Sequence, residues 1–142
     1  MTKKLLFSVL FILLLSACSQ NEVEDSSPNT KDITLKEVLN VIREQGLELE
    51  DTSDLPKENV FIQKLNGVTP EVYGLEGNTL SIYIFPTSNE RGKAVQAFEE
   101  KTATYDLIEH QEYGIHNLLV FYVSEDEKIQ DELFDALQSI DS

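Results

Sequence analysis

Apolar side chains recur along this chain at two spacings, and each predicts a different element. Leu35, Val38, Leu39 and Ile42 follow at intervals of three and four, on one face of a helix. That helix, residues 35–45, opens on a capping box of Thr34 with Glu37, inside an Ile33 to Val38 staple. Gly46 supplies the left-handed residue that ends it. Residues 60–65 then lead into Asn66-Gly67, the dipeptide that suits a type I′ hairpin because both central residues need positive φ. Pro70 lacks a ladder donor and places this stretch at an edge. A second turn at Gly77-Asn78 joins residues 71–76 to 79–85. It sets Leu75 opposite Leu80 and Tyr73 opposite Ile82 on a core face, with Gly74 and Ser81, then Val72 and Tyr83, on the other.

The alternation then returns to helical spacing. Thr87 with Glu90 opens a helix to Lys101 with Ala94, Val95, Ala97 and Phe98 as its apolar positions. Residues 105–113 and 118–123 read as a hairpin across a loop at 114–117, and 118–123 carries no polar residue on either face, so it is expected to be covered on both sides. Ser124 with Glu127 opens the last helix, whose stripe is Ile129, Leu133, Ala136, Leu137 and Ile140. The class is therefore α+β: a mainly antiparallel sheet of four to five strands packed with three helices, in the order α-(β)ββα-ββα. Strand pair followed by capped helix occurs twice, as a pseudo-repeat would give.

The N-terminus has a separate logic. Lys3 and Lys4 precede eleven residues, 5–15, that are apolar except for Ser8, too short to cross a hydrocarbon core of about 30 Å. Leu15-Ser16-Ala17-Cys18 follows, and resembles the lipobox of bacterial lipoprotein precursors. The resemblance implies a diacylglyceryl group on the Cys18 thiol, cleavage by signal peptidase II between Ala17 and Cys18, and a membrane anchor of paired acyl chains. Residues 1–17 are then a signal peptide. The plainer readings are a secretory peptide with an incidental Cys and an uncleaved anchor. Residues 18–31 form the acylated Cys and a polar tether with Val23 as its one aliphatic residue, long enough to hold the domain about 20 Å from the anchor. Residues 32–142 are the single α+β domain.

Charge narrows the partners. The 142 residues carry 11 Lys+Arg against 26 Asp+Glu, a formal net charge of -15, and removal of Lys3 and Lys4 takes it to -17. A balance this acidic argues against nucleic acid, which needs a basic face, and against electrostatic attraction to anionic lipid. A single Cys excludes an internal disulfide. Within the domain, Leu65-Asn66-Gly67-Val68, Pro70-Glu71-Val72-Tyr73 and Leu80-Ser81-Ile82-Tyr83-Ile84-Phe85 resemble small uncharacterised lipoproteins of Gram-positive, bacillus-like bacteria. The resemblance implies the outer face of a cell membrane and no particular activity.

Candidate chemistry is sparse. His110 and Glu112 share a face of an expected strand and His116 lies in the following turn, a weak metal-ligand set whose bland reading is a polar edge. No nucleophile elbow or phosphate-binding glycine loop occurs, so neither catalysis nor a cofactor is expected. Val72, Tyr83 and Phe85 form a binding surface if the second sheet face is open, and core if a helix or residues 60–65 lie across it. The leading expectation is a lipid-anchored, extracytoplasmic, non-catalytic interaction or accessory module of the envelope with a protein partner. The alternative is a small ligand- or metal-ion-binding lipoprotein.

Overall fold

The computed structural model describes residues 32–52 and 59–141. Helix α1 (Leu35–Glu44) begins at the expected cap: the Thr34 side chain accepts from the Glu37 N–H and the Glu37 carboxylate accepts from the Thr34 N–H. Ile33 and Val38 are both buried in one cluster, so the staple is formed. A two-residue strand β1 (Leu49–Glu50) and a 3₁₀ turn (Val60–Ile62) precede two hairpins. These are β2 (Glu71–Leu75) with β3 (Asn78–Ile84), and β4 (Gln111–Ile115) with β5 (Leu118–Val123). Helix α2 (Ser88–Thr102) follows the first hairpin, and α3 (Glu127–Gln138) the second. The sheet has the order β1-β2-β3-β5-β4, antiparallel throughout, and the fold is α+β as expected.

Several expectations are corrected in detail. The turn after β2 is Glu76-Gly77, with φ of 50° and 79°, so Leu75 pairs with Asn78 and Tyr73 with Leu80. The expected register was wrong by two residues, which leaves every side chain on its assigned face because the pleat repeats in two. Residues 60–65 form no strand: Asn59 caps the 3₁₀ turn by accepting from the Phe61 N–H, and only an isolated Leu65–Val68 bridge closes the Asn66-Gly67 turn. That turn does take positive φ at both positions, 45° and 82°. β4 begins at Gln111 rather than near Tyr105, and its turn is the two residues His116-Asn117, not four. Asp126, not Ser124, caps α3, accepting from the Lys128 and Ile129 N–H groups, while the Ser124 hydroxyl accepts from the Asp126 N–H one step earlier.

Both faces of the sheet are buried. The first carries Leu75, Leu80, Ile82, Tyr113, Leu118, Val120 and Tyr122 against α1 and α3. The second carries Tyr83, Phe85, Leu119 and Phe121 against Ala94 and Phe98 of α2 and Phe61 and Leu65 of the 3₁₀ segment. The two ββα units thus place their helices on opposite faces. A two-fold axis between the adjacent strands β3 and β5 would keep each face to itself, so it does not relate them.

Asn117 ties the parts together. Only 3% exposed, its Oδ1 accepts from the Ile33 N–H at 2.7 Å while its Nδ2 donates to the Ile33 and Phe85 carbonyls, each at 3.0 Å. Its own carbonyl accepts from the Phe85 N–H at 2.9 Å. One side chain thus joins the entry to α1, the end of β3 and the β4–β5 turn, with its amide fully satisfied.

Asn117→Ala leaves the Ile33 N–H without its acceptor in a buried site, and is expected to cost about 3 kcal/mol, read as a lower urea midpoint at unchanged m. Glu76→Asn places the favoured Asn-Gly pair at a turn that demands positive φ, and is expected to stabilise by about 0.5 kcal/mol, read as a raised Tm.

Candidate functional site

The surface proposed at Val72, Tyr83 and Phe85 does not exist as one. Tyr83 is fully buried and Phe85 nearly so, and Val72 is half-buried. Phe61 closes the second face, with its ring 5.5 Å from Phe121 and 5.8 Å from Phe98, and Phe98 lies 4.7 Å from Phe121. The Tyr83 hydroxyl holds this cover in place by donating to the Gln63 carbonyl at 2.6 Å, with the Phe61 carbonyl at 3.3 Å. The physical reason is burial: residues 60–65 have apolar side chains to hide and no partner strand to join, so they cap the sheet.

The metal-ligand set is not assembled either. The His110 ring packs 4.6 Å from Phe61, and its Nδ1 lies 2.9 Å from the Ile108 carbonyl. His116 sits at the far end of β4, with Nε2 2.8 Å from Asp141 Oδ1. Among the described residues no three His, Cys, Asp or Glu groups converge on a cation position. Glu112 stands near His110 on the second face, where burial first and the Glu99 charge second push its carboxyl pKa up, against opposing pulls from His110 and Arg91. The expectations for Leu15, Ser16, Ala17 and Cys18 fall outside the described residues, as does the tether. No described helix is long and apolar enough to cross a membrane.

What the fold leaves open is the outer edge of β4. In an antiparallel hairpin the residues flanking a two-residue turn are hydrogen-bonded to each other, and bonded pairs then alternate. Ile115–Leu118, Tyr113–Val120 and Gln111–Tyr122 are therefore bonded pairs, and Glu112 and Gly114 turn their N–H and C=O away from the sheet. The opposite edge is closed: β1 covers the Gly74 end of β2, and the Thr52 hydroxyl donates to the Val72 carbonyl at 3.2 Å. No protein-family model, curated protein or solved structure matches this chain.

Beside the open edge, on the first face, runs a groove between β4 and α3. It consists of two hollows of about 300 and 250 Å³ that share Phe134, Gln111 and Tyr113 as walls. Phe134 is 49% exposed, one of three large apolar side chains so displayed among the described residues, with Tyr105 and Ile108. Tyr113 floors the groove, donating to the Gln130 carbonyl at 3.0 Å, and burial with the nearby Asp131 charge pushes its phenol up to about 12. Glu127 and Asp131 rim the same groove, and no Lys or Arg lines it. On the other face Arg91 lies across Gly114, where a Cβ would fall 2.6 Å from Nη1. The sequence did carry one signal for this site: Phe134 stands off the Ile129-Leu133-Ala136-Leu137 stripe and so had to face outward.

Burial raises the pKa of Tyr83 as well as Tyr113 above the ordinary 10.0. The unfolded chain releases these protons from about pH 10 while the folded chain keeps them, so stability is full below that pH and falls as pH rises. Urea titrations at about pH 9 to 11 are expected to show losses approaching 1.4 kcal/mol per pH unit per tyrosine, roughly, with a shallower slope in Tyr83→Phe.

Proposed function

We infer that this chain is a lipid-anchored lipoprotein of the extracytoplasmic membrane face, and that its α+β domain is a non-catalytic interaction or accessory module. The observation that carries the anchoring is the convergence of Lys3, Lys4, the apolar run 5–15 and the small pair Ser16-Ala17 on the only Cys of the chain. Two acyl chains on Cys18 give stable attachment where one would be marginal. A polar tether with Glu22, Glu24 and Asp25 keeps the domain off an anionic headgroup layer. Support for an interaction role comes from the unpaired β4 edge and the exposed Phe134 beside it, since an edge strand with neither Lys nor Pro is a template for pairing with another chain.

Cys18→Ala is expected to abolish fatty-acid labelling, block processing and release the protein from the membrane fraction. A variant that is still labelled and processed would overturn the reading of the anchor. Photo-crosslinking scanned over the exposed surface in intact cells is expected to capture a discrete envelope protein with the anchored chain. Absence of any adduct from every surface position would remove the interaction role.

A further inference from the structure

The interaction reading leaves open which surface is used and what it takes, and the inference here rests on that reading. We propose that the outer edge of β4, together with the groove between β4 and α3, binds an extended basic peptide segment of another protein as a sixth strand, seating one of its apolar side chains against Phe134.

The backbone supplies the first element of recognition. Glu112 and Gly114 present two N–H donors and two carbonyl acceptors along one edge, the complement of one strand of about five residues. The side chains of an added strand alternate between the two faces, so every second one enters the groove. There Phe134 and the Tyr113 floor offer an apolar contact, and Phe134 gains by being covered. Charge decides the sign of the neighbours. Glu127 and Asp131 rim the groove without a cation, and the Arg91 charge on the opposite face is already set near Glu112. An acidic or second identical strand meets repulsion at this rim, and the net charge of -15 opposes self-pairing at longer range. A strand with Lys or Arg two residues from an aromatic or aliphatic anchor projects both onto the groove face and meets no such penalty. The edge is thus guarded against its own copies by acid rather than by proline or lysine, and left open to a basic partner.

Selection of phage-displayed random dodecapeptides on the full chain tests this. The expected winners carry Lys or Arg two residues from a Phe, Leu or Val, so that cation and anchor enter the groove together. Their synthetic forms are expected to bind about tenfold more weakly to Phe134→Ser and to Asp131→Lys, and to lose affinity as salt rises. Both substituted side chains are exposed, so these variants are expected to keep the parent Tm; Glu112→Pro, which deletes an outward N–H, is expected to abolish binding. Acidic or uncharged winners, binding untouched by these variants, or no winners at all would overturn the proposal. So would a concentration-dependent dimer, seen by sedimentation and lost in Phe134→Ser, since it makes a second copy the occupant. If the selection fails while crosslinking in cells still captures a partner elsewhere on the surface, the edge is wrong and the interaction role stands. If both fail, both are wrong.

Discussion

The carboxamide of Asn117 is the interaction on which the rest of the arrangement depends. A buried amide is favourable only when its donors and acceptor are all met, and here they are met by backbone groups from distant parts of the chain. The pair of bonds to Ile33 imitates a strand contact and fixes the residue that staples α1. The Phe85 contacts fix where β3 ends and the chain turns toward α2. The turn that presents Asn117 is in turn shaped by His116, at a φ of 51°. Because α1 packs on the first face and Phe85 lies on the second, one side chain sets the relative placement of both apolar layers.

Once both layers are in place, the sheet has no free face. The first is closed by α1 and α3, the second by α2 and the 3₁₀ segment anchored through Tyr83. What the sheet leaves accessible is then its edges rather than its faces. The β2 edge is closed by β1 and Thr52, so the exposed backbone of β4 and its flanking groove become the surface with unused bonding capacity among the described residues. The acidic rim bears on the same point: it discourages edge-to-edge growth, which an open strand otherwise invites.

Much of this was legible in the chain, for reasons of period and local chemistry. Alternation assigned Tyr73, Leu75, Leu80 and Ile82 to one face and Val72, Ser81 and Tyr83 to the other, and a two-residue slip in register could not disturb it. The slip itself arose because Glu76, an unusual residue at positive φ, took the turn position that Asn78 suits better by composition. Capping was read correctly at Thr34, while at α3 Asp126 outcompeted Ser124. The Thr87 cap formed, but Glu90 turned its carboxylate to Asn66, at 2.7 Å, and to Lys93 instead of back to the cap. Residues 60–65 were misread as a strand because a short apolar run has no period to distinguish a strand from a cover. Whether Val72, Tyr83 and Phe85 form a surface or lie under residues 60–65 stayed open for the same reason, and the structure takes the second course: what lies over a face is not written in that face.

The sequence by itself determined the class of fold, the helices, the two faces of the first hairpin and the expectation of an acylated Cys18, because each follows from neighbours a few residues apart. Only the tertiary structure decided which segments cover each face, that Asn117 joins Ile33 to Phe85, and that β4 rather than β2 keeps an open edge. Those outcomes depend on which segments compete to cover which apolar area, and on the strand order β1-β2-β3-β5-β4 that the competition leaves. Local patterns fix what a segment is; burial of the whole chain fixes what remains exposed for another molecule to use.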